Sequence, residues 1–179
     1  MSDRLQHVPA QQYPEVRDLL LDLYREIYAA EDAAFHDLER FAERSDAYAR
    51  HPGWTAVIGR TADGQATGYA FGAPLPEGSR WWRSALQTLP EEYTKEDGAR
   101  TFAVFELMVR QGWRGTGEAA RIHEALLDGR PESRATLLVD ATHGAVRRRY
   151  EEWGYRHIGD QQPFTDSPVY SMLVRDLPE

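Results

Sequence analysis

Residues 104–121 read VFELMVRQGWRGTGEAAR, and the order of chemistry in this stretch decides the architecture. The run TFAVFELMV (101–109) is apolar almost throughout and bounded by polar residues, the pattern of a buried central strand. A turn with Gly112, Gly115 and Gly117 follows, and a helix is expected over 118–128, closed by Gly129 and Pro131. Glycines let a chain turn tightly and bring its backbone close to a ligand. The first N–H groups of a helix lack intrahelical acceptors, and with the helix dipole they form an anion site suited to a phosphate or pyrophosphate. A plain strand-to-helix turn, with glycines for geometry alone, explains the same spacing. Two other phosphate motifs do not fit. G-x-x-x-x-G-K-[ST] is absent, and G-x-G-x-x-G lacks its third glycine, so Asp140 does not complete a dinucleotide signature.

Upstream, PEVRDLLLDLYREIYAA (14–30) places Val16, Leu19, Leu20, Leu23 and Ile27 on one helical face, with Pro14 suited to the first turn. A second helix is expected over 35–50 on Phe35, Leu38, Phe41 and Tyr48, stopping at His51-Pro52-Gly53. Strands 54–60 and 65–72 flank Ala62-Asp63-Gly64, a strong hairpin signal. Residues 73–100, broken by Pro74, Pro76 and Gly78, carry no clear period. Downstream, ATLLVD (135–140) reads as a short buried strand. Thr142 or His143 opens a helix with Val146, Tyr150 and Trp153 on its apolar face, ended by Gly154. Strands 155–159 and 169–174 close the chain. This order argues for an α/β sheet with helices on both faces.

The 179 residues are 41% hydrophobic and 28% charged, one domain's worth (1–179) and enough for a core without staples. The absence of cysteine excludes a disulfide framework, a thiolate metal site and a cysteine nucleophile. The histidines show no H-x-x-x-H or H-E-x-x-H spacing, so no metal is expected. A net charge of −8 argues against a broad nucleic-acid surface. No apolar run approaches the ~18 residues of a membrane span, and MSDRLQHVPAQQYPEV lacks the apolar core of a secretory leader. The expectation is a cytoplasmic protein without a membrane partner.

The segment VRQGWRGTGEAA resembles the acyl-CoA-binding motif of the GNAT N-acetyltransferases, R/Q-x-x-G-x-G/A after a strand end, with Arg114, Gly117 and Ala119 at its fixed positions. VDATHGAVRRRYEEWGY is similar to that family's second signature, N-x-x-A-x-x-x-Y-x-x-x-G-F/Y, with Tyr150, Gly154 and Tyr155 in place. The resemblance covers residues 3–176 in the order of elements and is most specific over 101–159. The sequence departs from the pattern at Gln111, where proline is common, at His143, where asparagine is usual, and at Val146, where alanine is usual. Glu118 also departs, since a carboxylate in the helix's first turn would repel phosphate unless it turns to solvent.

The resemblance implies a mixed, mostly antiparallel central sheet with helices on both faces and a splayed pair of central parallel strands, here 101–109 and 135–140. It implies transfer of the acetyl group of acetyl-CoA to a primary amine of a small molecule, a metabolite or an antibiotic-like amine. Without cysteine, direct attack by the amine in a ternary complex is the default. Main-chain groups around Met108 and Arg110 would pair with pantetheine amides. The N–H groups of Gly115, Thr116, Gly117, Glu118 and Ala119, behind Arg114, would hold the pyrophosphate, and an N–H near Val109 would polarise the thioester carbonyl. His143 contacts the pantetheine arm or the substrate, or simply caps its helix.

Glu106 is the candidate general base. It stands in the middle of an apolar strand, where a charge is rarely buried without cause. Alternation places it with Val104 and Met108, opposite Phe105, Leu107 and Val109. Burial would raise its pKa toward a useful range, whereas an arginine partner or a solvated cleft would leave it without chemistry. Tyr150 is the candidate acid for the leaving thiolate, and core packing with Val146 and Trp153 explains its spacing equally. His123 is expected in packing or at the surface. Trp81, Trp82 and Tyr93 line an acceptor pocket, or cover a sheet edge or dimer contact. Arg147, Arg148 and Arg149, followed by Glu151 and Glu152, read as a solvated, salt-bridged helix face. Two alternatives stay open: the same fold with another donor, either another acyl-CoA or an aminoacyl-tRNA, and a non-catalytic acyl-CoA-binding module. Homodimers are common in the resembled family, and the oligomeric state is left open.

Overall fold

The computed structural model describes residues 3–28 and 37–178. Phe35 and the last two residues of the first expected helix lie outside them. The described residues form a seven-stranded sheet of order β1-β2-β3-β4-β5-β7-β6. Its strands are β1 (Arg4–Pro9), β2 (Thr55–Arg60), β3 (Ala66–Pro74), β4 (Thr101–Val109), β5 (Arg134–Asp140), β6 (Arg156–Gln161) and β7 (Tyr170–Asp176). The helices are α1 (Tyr13–Tyr28), α2 (Leu38–Ala49), the single turn α3 (Glu91–Thr94), α4 (Glu118–Leu127) and α5 (Gly144–Glu152). The ladders are antiparallel except the parallel one, which takes in Thr101–Ala103 of β4 and Arg134–Thr136 of β5. The mixed, mostly antiparallel sheet matches the expectation. Strand β1 was not anticipated, because only Val8 of its six residues is buried and the sequence shows no alternation.

The chain divides into two compact units, one of residues up to Ala73 with Val104–Asp128, the other of Pro74–Ala103 with the residues from Gly129. In the first, α1 buries Val16, Leu20, Leu23 and Tyr24, as its period requires. Asp37 caps α2 by accepting from the Arg40 N–H at 3.0 Å. Tyr24 stacks on Phe41 with centroids 3.7 Å apart, and the Tyr13 hydroxyl and Arg17 guanidinium both donate to Asp46. Trp54, Ile58, Tyr69, Phe71 and Met108 complete this core. Each fully buried side chain of this size contributes about 1.5–3 kcal/mol. The hairpin turns at Gly64, whose φ of 87° only glycine adopts cheaply.

Strand β4 carries a local irregularity. Leu75 N–H donates to Thr101 O, and Arg110 N–H donates to Thr67 O. Between these two bonds β3 covers eight residue steps and β4 nine, so β4 accommodates one extra residue, a β-bulge. Phe105 and Met108 consequently pack against the same core cluster. The expected alternation, with Phe105 opposite Met108, is corrected here, because one inserted residue exchanges the two faces of a strand.

In the second unit, β5 pairs β7 along its whole length and β7 pairs β6. A buried polar knot fills the irregular segment before β4. Glu96 Oε1 accepts from Trp82 Nε1 (2.9 Å), Thr101 Oγ1 (2.9 Å) and Arg134 Nη2 (3.0 Å). The Arg134 guanidinium lies 5.4 Å from the Trp82 ring centroid. Trp82 is therefore a core residue and not a pocket wall. On α5 no residue is buried, Val146 is 46% exposed, and the expected apolar face is absent. The polar half of that expectation holds, with Arg147 Nε 3.1 Å from Glu151 Oε1.

Candidate active site

Helix α4 begins immediately after a 3-10 turn at Gln111–Trp113, with Gly115 (φ 76°) and Gly117 (φ 90°) both left-handed. Gly117 occupies the N-cap without a side-chain cap bond. The first main-chain bond of the helix runs from Arg121 N–H to Gly117 O at 3.0 Å. The N–H groups of Ala119 and Ala120, ahead of it, have no helical carbonyl one turn back. Residues 114–117 are exposed. An exposed, uncapped helix start of this kind can bind an anion. Thr116 folds its hydroxyl onto Trp113 O (2.7 Å), and Arg114 Nε reaches Val109 O (3.3 Å), so the loop is braced against the strand end.

Glu118 does not turn to solvent. It is fully buried, and its Oε1 accepts from the Thr67 hydroxyl at 2.6 Å. His123, one turn further along α4, is also fully buried.

The main-chain groups of Arg110, expected among the pantetheine partners, are already engaged. The Arg110 N–H is engaged by Thr67 O and its carbonyl by Trp113 N–H, both at 2.9 Å. Its guanidinium is held by Glu26 (2.9 Å) and Ala66 O (2.6 Å). The Met108 carbonyl lies against Gly68 of β3, and the Val109 carbonyl accepts from Arg114 Nε at 3.3 Å.

Glu106 is half-buried, and among the described residues no hydrogen bond or ion pair holds its carboxylate. Burial pushes its pKa up from 4.5 to about 7, with the Arg44 charge opposing the rise. Burial and the Glu106 charge push the Tyr48 phenol up in turn. Phe105 stacks on Tyr48, and His51 lies edge-on to Phe105 at 5.7 Å, its imidazole kept below its ordinary pKa by burial. A carboxyl titrating near neutrality among aromatic rings has the properties of a general base.

These residues all lie in the first unit. In the second, His143 is the N-cap of α5, exposed, and its ring makes no capping bond. Tyr150 is half-buried, edge-on to Trp153 (5.2 Å) and Tyr155 (5.7 Å). An open cavity of about 310 Å³ in this unit is lined by Tyr93, one of the aromatics expected at an acceptor pocket or sheet edge, with Arg100, Arg134, Arg156 and Asp176 among others, and not by His143 or Tyr150. Its guanidiniums are already engaged, Arg134 by Glu96 and Thr101, Arg156 by Asp176, and Arg100 by the carbonyls of Glu92 and Lys95. Among the described residues, no cluster of His, Asp and Glu is placed to hold a metal, and no helix is long and apolar enough to cross a membrane.

No protein-family profile matches the sequence, and no curated protein does. The backbone is similar to solved structures of acetyltransferases. One, from Desulfovibrio desulfuricans, is described as an acetyltransferase of the GNAT family (TM-score 0.65, 13% identity, 97% of this chain and 99% of that one). Another is an aminoglycoside 6'-N-acetyltransferase complexed with coenzyme A (TM-score 0.62, 15% identity, 98% of each chain). A third is a spermidine N-acetyltransferase chimera of Vibrio cholerae SpeG and hSSAT (TM-score 0.62, 12% identity, 97% and 95%). The fold is that of the GNAT acetyltransferases.

Proposed function

We propose that this GNAT-fold chain is an N-acyltransferase that moves the acetyl group of acetyl-CoA to a primary amine of a small molecule by direct attack. The observation that carries the reading is the uncapped, exposed start of α4 directly behind a strand bearing Glu106. The donor residues fit the group chemically. The N–H groups of Gly115 to Ala119 would take the pyrophosphate, with Arg114 beside them. Main-chain groups of β4 around Met108 would offer partners to the pantetheine amides, and the Val109 N–H a hydrogen bond to the thioester carbonyl. Acetyl-CoA supplies an activated acyl group when bound.

On the protein's side, Glu106 takes the proton that the attacking ammonium must lose. A base near 7 can accept it and still be about half ionised at neutral pH. A half-buried carboxylate for which the described residues supply no fixed partner also suits a cationic amine as its counter-ion, and the chain's charge of −8 favours such a substrate's approach. Solved relatives of this fold named for spermidine and aminoglycoside acetylation support the amine class. The roles read from the sequence for His143 and Tyr150, pantetheine contact and proton return to the thiolate, rest on the resemblance.

The test is thiol release from acetyl-CoA in the presence of a panel of primary amines, including polyamines and aminoglycosides. Amine-dependent release that falls sharply in Glu106→Gln supports the proposal. CoA binding without turnover across the panel would favour a binding module. Turnover with another acyl-CoA, or salt-sensitive binding of charged tRNA, would reassign the donor.

A further inference from the structure

Glu118 is the first residue of α4 and is completely buried. Its partner Thr67 on β3 is completely buried too, and the hydroxyl donates at 2.6 Å. Glu118 Oε2 lies 3.8 Å from the Arg121 guanidinium one turn on. The room for this pair comes from Gly59 on β2. A Cβ at position 59 would overlap both the Glu118 carboxylate oxygen and the Thr67 hydroxyl, and would sit 3.1 Å from Ile122 Cδ1. Three elements of the first unit thus meet through one carboxylate. An apolar side chain would fill the same space without desolvating a charge. The carboxylate is also on the residue whose N–H belongs to the anion-binding turn, where negative charge opposes a negative ligand.

We propose that Glu118 and Thr67 are positioning residues for the donor site. Their hydrogen bond fixes the first turn of α4 against β3 and so aims the N–H groups of Gly117 to Ala119. The Glu118 charge meanwhile moderates the pull of the helix on the diphosphate and hastens its release. This rests on the donor reading above. The two effects separate by substitution: Glu118→Gln keeps an acceptor for Thr67 but removes the charge, and Thr67→Val keeps the charge but removes the bond.

The experiment is calorimetric titration of the full chain with coenzyme A, paired with steady-state KM values for donor and acceptor. Glu118→Gln is expected to bind coenzyme A about fivefold tighter, the size of a helix-end charge effect. Thr67→Val is expected to bind it more weakly and to raise the donor KM more than the acceptor KM, with Thr67→Ser restoring both. A purely structural role would move thermal stability and leave the donor-to-acceptor KM ratio unchanged. Equal or weaker binding by Glu118→Gln overturns the proposal, as does unchanged binding by Thr67→Val. Should Thr67→Val not fold, Glu118→Gln decides alone. Absence of coenzyme A binding by the unaltered chain instead removes the donor reading, so the two failures are told apart.

Discussion

Phe105 and Tyr48 stack with ring centroids 4.0 Å apart and planes 10° from parallel, tying the middle of β4 to the last turn of α2. Glu106 follows directly in the strand, and its charge reaches the Tyr48 phenol. Its burial has a thermodynamic signature. The folded chain holds a proton on Glu106 up to about pH 7, whereas the unfolded chain releases it near 4.5. Stability therefore falls as pH rises from about 4.5 to about 7 and stays at the lower level above. Glu106→Gln should melt with the unaltered protein near pH 4 and a few degrees above it at pH 8, a difference of about 1–3 kcal/mol. A difference that ignores pH would rule out burial as the cause of the raised Glu106 pKa.

The same substitution should lower kcat by about 10²- to 10⁴-fold, the usual worth of a general base. The pH profile of kcat/KM in the unaltered enzyme should rise through an apparent pKa close to 7, and that limb should vanish in Glu106→Gln. Full activity with the limb intact would assign the proton to another group.

Gly68 of β3 lies against the bulged end of β4. A Cβ there would overlap the Met108 carbonyl and sit 2.9 Å from Val109 Cα, both backbone atoms that cannot step aside cheaply. Gly68→Ala should cost about 1–3 kcal/mol by denaturant unfolding and should shift Val109, raising the donor KM. Unfolding and kinetics both like those of the unaltered chain would refute the close approach of the two strands.

In the second unit, Arg134→Met should leave the buried Glu96 carboxylate without its counter-ion and cost about 3–5 kcal/mol. The double substitution with Glu96→Met should recover most of the loss, because removing both charges ends the desolvation penalty. A double variant no more stable than the single one would show that the pair contributes through packing alone.

Asp46 holds Arg17 and Tyr13 between α1 and α2, and hydrogen bonding to Arg17 lowers its pKa below the usual 3.8. Its contribution is present above that value and is lost as pH falls through the lower folded pKa. Asp46→Asn should therefore melt earlier at pH 7 and converge with the unaltered protein in strong acid. Urea titrations at the two pH values measure the gap.

Elements with a strong local period were legible in the sequence. The hairpin around Asp63-Gly64, strand β4 and helix α4 stand within a residue or two of their expected bounds. What failed depended on neighbours. An edge strand such as β1 needs few buried residues. The face of β4 reverses through a bulge that no residue announces. Val146 is exposed because α5 lies on the surface despite its apolar spacing. At the candidate site, Glu106 and the turn at Gly115 and Gly117 could be read from chemistry alone. The commitment of Arg110 to Thr67 required a hydrogen bond between segments far apart in sequence.

The cleared space at Gly59 ties the choice of side chain at three positions together. Drift at residue 59 toward any larger side chain would evict the acid at 118 and strand the hydroxyl at 67. Homologues should consequently fall into two groups. One keeps glycine, threonine and glutamate together, and the other has exchanged all three, with intermediates scarce.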